Sequence, residues 1–166
     1  MNADLASGQS RIVVGVDGSE PSKAALQWAA RISAVTGNAI DAVIAWQPPP
    51  TYGWAYLDPT WRPDQWAEKT LTEVVDEVFG FERPPGLRLI VERGNPAKVL
   101  LDHSKGADLL VVGSRGHGGF VGLLLGSVSA NCAEHAQCPV LVMHEPHPPA
   151  HPKTATDTDR TVGDHQ

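Results

Sequence analysis

The fold is decided first by the stretch Arg11-Ile12-Val13-Val14-Gly15-Val16-Asp17, which is short, apolar and rich in β-branched residues. Such a run, ended here by Gly18-Ser19, is typical of a buried strand. Ser19 is a good helix N-cap, and Glu20 and Pro21 suit a first helical turn. The stretch therefore predicts a strand that leads directly into a helix. That helix should end at Gly37-Asn38 and present apolar residues at helical spacing: Ala25, Trp28, Ala29, Ile32 and Val35.

The same order of strand and helix repeats along the rest of the chain. Further apolar strands are predicted over 39–46, 87–91, 108–112 and 139–143. A third helix has Asn95 as its cap and Pro96 as its first residue, and a fourth runs from near Ser127 to near Gln137. A second helix is predicted between the strands over 39–46 and 87–91, after a Pro- and Trp-rich connection over 47–64. Its inward residues are Ala67, Leu71, Val74, Val75 and Val78.

Alternating strands and helices indicate a parallel sheet with helices on both faces, joined by right-handed crossovers. The strands are nearly continuous apolar runs, as expected when both faces of a sheet are covered. We therefore predict a single α/β domain built on a doubly wound, five-stranded parallel sheet. Such sheets bind ligands beyond the carboxyl ends of their strands, where the strand order reverses. Asp17, Trp46, Glu92 and Gly113 stand at those ends.

The composition suits a soluble globular protein, because 42% of the residues are hydrophobic and 19% are charged. A formal net charge of -6 argues against a nucleic-acid partner, since phosphate backbones require clustered Lys and Arg. No run approaches the roughly 18–20 consecutive apolar residues of a membrane span, and no signal peptide is recognisable in residues 1–10. We therefore expect a cytoplasmic protein without a membrane partner. Cys132 and Cys138 lack metal or redox spacing and should pack as small apolar groups.

The two ends of the chain differ from the strand and helix pattern. Residues 1–10 are expected to be flexible. Residues 145–166 are rich in Pro, His, Thr and Asp without apolar periodicity, and are expected to form a disordered tail. His144 lies just before this tail and His147 and His151 lie within it, without a fixed geometry. They are interpreted as solvated side chains rather than metal ligands.

A glycine-rich loop follows the fourth predicted strand and contains Gly113-Ser114-Arg115-Gly116, nine further residues and then Gly126-Ser127. Glycines let backbone N–H groups approach an anion, and a helix N-terminus adds a favourable field. The chain has neither the G-x-x-x-x-G-K-[ST] phosphate loop nor, after its first strand, the G-x-G-x-x-G dinucleotide motif. The loop is therefore a candidate phosphate cradle of another kind. The alternative is a flexible connection in which Ser127 only caps its helix.

The loop residues have separable candidate roles. Gly113 would let the chain pass close to a ribose, and Gly116 would turn an N–H towards phosphate. Arg115 and His117 either reach phosphates or point into solvent. The helix start would present N–H groups and a hydroxyl to phosphates through Gly126, Ser127 and Val128, with Ser129 within a turn of them and Asn131 on the helix surface.

Asp17 is the candidate on the other side of the expected ligand site. Its carboxylate could accept hydrogen bonds from a ribose or adenine, or hold a divalent cation that bridges phosphates. The alternative is a turn aspartate that binds its own backbone in Asp17-Gly18-Ser19. Trp46 either walls a base pocket or belongs to the core.

At this point the chain resembles the universal stress protein family. The resemblance covers roughly residues 11–144 and rests on Ile12–Ser19, Asp108–Phe120, Leu125–Ser129 and Cys138–Val142. Gly113, Gly116, Gly126 and Ser127 match the pattern G-x2-G-x9-G-[ST], which marks the ATP-binding branch of that family. The Trp- and Pro-rich segment over 47–66 and the His-containing tail depart from a minimal member, and the segment could cover the nucleotide or bind a partner.

The resemblance implies a nucleotide-binding domain over 11–144 with strand order 3-2-1-4-5. It implies that Asp17 contacts the nucleoside or its Mg²⁺, that the backbone near Ala45 meets adenine, and that Gly113 lies by the ribose. Gly116, Gly126, Ser127 and Val128 would hold the phosphates. It also implies a homodimer formed through the last strand, Val140 to Met143.

The function expected from these residues is ATP-binding regulation, in which nucleotide occupancy tunes conformation or dimer state. A slow ATPase or phosphotransferase is an alternative, but the loop has no lysine and no obvious general base, so no catalytic residue is assigned. A binder of AMP or a cyclic nucleotide, and a ligand-free structural dimer, are further alternatives. Replacing Gly113 or Asp17 by alanine is expected to weaken ATP binding and leave the fold intact.

Overall fold

The computed structural model describes residues 10–48, 62–116 and 125–144. Strands and helices alternate in the predicted order: β1 (Arg11–Gly15), α1 (Glu20–Thr36), β2 (Ala39–Trp46), α2 (Pro63–Phe79), β3 (Leu87–Arg93), α3 (Pro96–Ser104), β4 (Leu109–Gly113), α4 (Ser127–His135) and β5 (Val140–Met143). The predictions for the flexible residues 1–9 and the tail over 145–166 lie outside these ranges, as does His117.

The strands form a parallel sheet in the order β3-β2-β1-β4-β5. This confirms the predicted fold and strand order. The strand bounds differ by a few residues, because β1 ends at Gly15 rather than Asp17 and the edge strand β3 continues to Arg93. β3 is longer because it stays paired with β2 as far as Trp46 and Arg93.

The predicted helix termini are largely confirmed. The Ser19 side chain accepts a hydrogen bond from the N–H of Ser22 at the start of α1, and Gly37 ends that helix with a φ of 77°. At the start of α3, Asn95 accepts from the N–H of Lys98 and Pro96 is the first residue. α4 ends at His135, two residues before the predicted end, and no membrane-spanning helix is found in the described part of the chain.

Two apolar clusters cover the two faces of the sheet. Ile12, Val14 and Ile40 pack with residues of α1 and α2 on one face, while Val13, Val43 and Leu110 pack with residues of α3 and α4 on the other. Cys132 is buried in the second cluster, and burial raises the pKa of its thiol to about 11. The thiol therefore stays protonated at neutral pH and packs as a small apolar group.

The inward face of α1 was predicted partly wrongly. Trp28 and Val35 are 44% and 88% exposed, whereas Ser22 and Ser33 are buried. The two serines tolerate burial because their hydroxyls donate to backbone carbonyls, of Ser19 at 2.8 Å and of Asn38 at 2.6 Å. The spacing of apolar residues does not indicate that these serines are buried. The predicted inward face of α1 was therefore centred too close to Trp28.

Candidate functional site

A cleft of about 640 Å³ opens at the carboxyl ends of β1, β2 and β4. It lies beside the point where the strand order reverses between β1 and β4, which is where doubly wound sheets bind ligands. Its walls bring together every predicted ligand residue that the structure describes: Asp17, Ala45, Gly113, Arg115, Gly116, Gly126, Ser127, Val128 and Ser129.

Asp17 closes the turn between β1 and α1. One carboxylate oxygen, Oδ1, accepts from the N–H of Ser19 at 3.0 Å and from its hydroxyl at 2.5 Å, while Gly18 takes a φ of 86°. The interpretation of Asp17 as a turn aspartate is therefore confirmed. The other oxygen, Oδ2, lies so close to Gly116 that a methyl group there would overlap it. The carboxylate thus belongs to the turn and also borders the glycine loop.

Gly113 ends β4 directly beneath the start of α1. A Cβ at Gly113 would lie 2.8 Å from Cβ of Pro21 and 2.9 Å from the backbone atoms C of Pro21 and N of Ser22. Backbone atoms cannot move aside as a flexible side chain can. The expectation that alanine at Gly113 leaves the fold intact is therefore wrong, because this glycine is needed for the packing of α1 against β4.

The helix α4 begins with Gly126 as its N-cap, so the alternative in which Ser127 is the cap is wrong. Gly126 has no side chain with which to cap the helix. Its N–H donates to the carbonyl of Ser114 at 2.7 Å and is thus used within the loop. Ser127 and Val128 occupy the first helical positions, whose N–H groups have no acceptor within a helix.

Ser129 fixes the start of α4 from inside. It is 2% exposed, and its hydroxyl lies 3.0 Å from both the Ser114 and Gly126 carbonyls, to which it donates. Although Ser129 lines the cleft, its hydroxyl hydrogen already bonds within the protein and joins the end of β4 to α4. Asn131 donates to the carbonyl of Ser127 at 2.8 Å on the exposed helix surface, as interpreted from the sequence.

The charges around the cleft are few. Among the described residues of its lining, Arg115 is the only cation and Asp17 the only carboxylate. The described residues contain no group of three His, Cys, Asp or Glu side chains arranged for a metal ion. A divalent cation beside Asp17 would therefore need further ligands, such as phosphate oxygens and water.

Trp46 and Glu92 stand at strand ends but do not line the cleft. Trp46 packs against the core cluster of α1 and α2, with the guanidinium of Arg93 5.7 Å from the centre of its ring. Glu92 pairs with Nε2 of His103 at 2.5 Å. The core interpretation of Trp46 is therefore confirmed.

The cleft also contains residues that were not individually predicted as site residues. Trp66 lines it from the first turn of α2, and Pro96 and Leu100 line it from the start of α3. The rule that ligands bind at the carboxyl ends of strands also places the following helix starts there. Applied to every helix, that rule would have indicated Pro96 and Trp66.

Comparison with known proteins identifies the family of the chain. A sequence profile described as the universal stress protein family matches residues 9–144. The chain belongs to the universal stress protein family. A family member from Mycolicibacterium smegmatis is 36% identical over 149 residues, which are 84% of this chain and 48% of that relative. One from Mycobacterium tuberculosis is 37% identical over 141 residues, 82% of this chain and 46% of the relative. The chain thus spans about half the length of these curated relatives.

Solved structures of the universal stress protein family share the fold. A Lactobacillus plantarum member superposes with a TM-score of 0.65 at 23% identity, covering 81% of this chain and 97% of that one. A member solved in complex with cAMP has a TM-score of 0.61 at 25% identity, covering 84% and 99%. An Archaeoglobus fulgidus member in complex with dAMP has a TM-score of 0.55 at 22% identity, covering 81% and 97%. Adenine nucleotides are therefore ligands of these two neighbours.

Proposed function

We propose that this protein is a cytoplasmic regulator of the stress response that binds ATP in the cleft, and that its conformation or dimer state depends on nucleotide occupancy. The observation that carries the proposal is the start of α4, which opens on the same cleft as Asp17 and Ala45. The helix has a glycine N-cap and no acidic residue in its first turn. A helix start without a side-chain cap and without a negative side chain is a favourable place for a phosphate.

The size and lining of the cleft support a nucleotide rather than an isolated phosphate. A volume of about 640 Å³ is in the range of small-molecule and cofactor sites. Its β4 side carries the glycine loop, whereas its β2 side is apolar through Val43, Ile44 and Ala45. A ligand with an anionic end and a flat, less polar end matches both sides. The cAMP and dAMP bound by two structural neighbours are ligands of that kind.

Residues of the lining favour binding over turnover. Phosphoryl transfer needs a group that positions the nucleophile and strong positive charge at the γ-phosphate. The described lining offers no lysine or histidine, and Asp17 is held by Ser19. In the proposed complex Asp17 would hold a Mg²⁺, which would offset part of the negative charge of ATP without making the site catalytic.

Dimerisation is proposed through β5, the edge strand next to β4. All four of its residues are partly exposed, and its outer edge has no neighbouring strand within the described sheet. Such an edge is available to pair with the same strand of a second copy. Since β4 pairs with β5 through Gly113 and Met143, a change in the cradle is close enough to affect the interface.

The experiment combines native mass spectrometry of freshly purified protein with calorimetric titration of ATP, AMP and cAMP in the presence of Mg²⁺. We expect co-purified or saturably bound ATP, with tighter binding of ATP than of AMP because the cradle contacts several phosphates. Analytical ultracentrifugation with and without ATP measures the effect on the dimer. Protein that is empty and gives no heat with any adenine nucleotide would contradict the proposal. Release of labelled phosphate from bound ATP at a steady rate would favour the slow ATPase instead.

A further inference from the structure

We propose that Trp66 is the wall against which the base of the nucleotide stacks, an inference that rests on the proposed nucleotide-binding function. Trp66 lies in the first turn of α2, where its backbone N–H donates to the Arg62 carbonyl at 3.0 Å. It lines the cleft and is 56% exposed, while the next residue, Ala67, is completely buried in the core. The helix is thus anchored by Ala67 and leaves the indole at the cleft.

The position of Trp66 within the layers suits a flat ligand. α2 covers the same face of the sheet as α1, whereas Pro96 and Leu100 belong to α3 on the opposite face. All three residues line the cleft, together with Ala45 near the end of β2. The cleft is therefore bounded by an aromatic residue from one helical layer and aliphatic residues from the other. A planar base that enters above β2 would lie between them.

The proposed phosphate cradle, formed by the glycine loop and the start of α4, lies on the side of the cleft away from Trp66. β1 separates β2 from β4, and the cradle follows β4. A nucleotide whose phosphates bind at Ser127 and Val128 would extend across the end of β1, past Asp17, towards β2. Its base would then reach the part of the cleft that Trp66 and Ala45 line. With the phosphates at the start of α4, the order of the strands assigns the base to the opposite side of the cleft.

Two other tryptophans in the described part of the chain, Trp28 and Trp46, are engaged differently. The guanidinium of Arg31 lies 5.1 Å from the ring centre of Trp28, and that of Arg93 lies 5.7 Å from the ring centre of Trp46. Within residues 10–48, 62–116 and 125–144, no cation is found over the ring of Trp66. A large indole that is half exposed at a cleft, without such a contact from this part of the chain, has a face on which a base can stack.

The chemistry of stacking determines what Trp66 would select. Every nucleobase has a π-face, so an aromatic wall adds affinity for a base of any kind and adds none for phosphate alone. Trp66 would therefore favour nucleotides over inorganic polyphosphates. Discrimination between adenine and other bases would come from polar backbone groups near Ala45.

The test measures ATP affinity by calorimetry for Trp66→Ala, Trp66→Phe and the matched control Trp28→Ala, which removes another exposed tryptophan outside the cleft. Tripolyphosphate is used as a competitor against ATP to measure the phosphate part of the site. We expect Trp66→Ala to bind ATP roughly tenfold more weakly, as loss of a base-stacking ring does. Trp66→Phe should keep most of the affinity, Trp28→Ala should equal the wild type, and the tripolyphosphate constant should not change in any variant.

Unchanged ATP affinity in Trp66→Ala would overturn the inference while leaving the proposed function in place. Equal losses for ATP and tripolyphosphate would also overturn it, because they would show a general effect on the fold rather than stacking. Wild-type protein that binds no ATP would overturn the proposed function and this inference together. Thermal unfolding of each variant, followed by circular dichroism, confirms that folded proteins are compared.

Discussion

Two chain segments meet at the carboxyl edge of the sheet, and they are built in opposite ways. The turn from β1 to α1 is filled with side-chain hydrogen bonds between Asp17 and Ser19, and α1 has an acidic residue, Glu20, in its first turn. The loop from β4 leads to α4, which has a glycine cap and no acidic residue in its first turn. The start of α1 has a side chain that caps the Ser22 N–H, whereas the start of α4 has no side-chain cap and its first residues line the cleft.

This difference separates the roles of the two segments. A capped helix start that already carries a carboxylate has little electrostatic attraction left for a phosphate, since the carboxylate occupies the favourable position. The β1–α1 turn therefore acts mainly as a frame, against which Gly113 packs and Gly116 lies. In the proposed function, the start of α4 is therefore the part that would bind the phosphates. Substitutions that affect the frame should change stability, and those that affect α4 should change binding.

The largest expected effect is that of Gly113→Ala on the frame. Its methyl group would lie 2.8–2.9 Å from atoms of Pro21 and Ser22, so α1 must shift away from β4. Overpacking of this kind should lower the free energy of unfolding by about 2–3 kcal/mol. Urea denaturation followed by circular dichroism measures it.

The matched control is Gly126→Ala, at the other glycine-bearing end of the same loop. There a Cβ would lie 3.5 Å from the Ser114 carbonyl oxygen, an ordinary contact, and φ is −72°. We expect a loss of at most about 1 kcal/mol, because alanine is a poorer N-cap than glycine. Equal unfolding free energies for the two variants would contradict the assignment of Gly113 to the frame.

The second-largest expected effect is a loss of ATP affinity in the variant Ser127→Asp. This exposed first residue of α4 faces the cleft, so the new carboxylate would occupy the helix start in place of a phosphate. We expect ATP affinity to fall roughly tenfold through charge repulsion. The same change should stabilise the helix by about 0.3–1 kcal/mol. Calorimetry and thermal unfolding measure the two quantities separately.

The neutral variant Ser127→Asn, of similar size, is the control for this charge. It should bind ATP nearly as the wild type does. If Ser127→Asp and Ser127→Asn bind ATP equally well, α4 is not the phosphate-binding element. The opposite signs expected for stability and affinity make the result independent of any general damage to the fold.

Most of the fold could be predicted from the sequence because several local signals agreed. Ser19 and Asn95 as caps, Gly37 as a stop and five apolar runs all point to the same alternating order, and the structure has it. The face of α1 could not be predicted fully. Burial of Ser22 and Ser33 depends on carbonyl acceptors that only the folded backbone provides.

The position of the cleft could be predicted, but the contacts of the residues that line it could not. Spacing alone indicated the glycine loop, and the structure brings that loop to Asp17. The contacts of the loop residues depend on their neighbours in the folded structure. Gly113 must lack a side chain because Pro21 lies against it, and the Gly126 N–H donates to the Ser114 carbonyl. Trp66 reaches the cleft only because α2 begins there. The contacts of Gly113 and Gly126 join distant segments and have no signal in the local sequence, whereas the start of α2 after a strand end would have indicated Trp66.

The smallest expected effect tests the frame from its other side, through Ser19→Ala. The Ser19 hydroxyl accepts from the N–H of Ser22 and donates to Asp17, so alanine removes the cap of α1 and one of the bonds that hold the carboxylate. Loss of a serine cap should cost about 1 kcal/mol of unfolding free energy. ATP affinity should hardly change, because the N–H of Ser19 still holds Asp17 at 3.0 Å and α4 is untouched.

Asn95→Ala is the matched control for this change, since it removes the cap of α3 without touching Asp17. Both variants should lose similar stability in urea denaturation, and both should bind ATP as the wild type does in calorimetry. A strong loss of affinity in Ser19→Ala alone would show that the Ser19 hydroxyl sets the orientation of Asp17 for the nucleotide. The β1–α1 turn would then be part of the binding site and not only its frame.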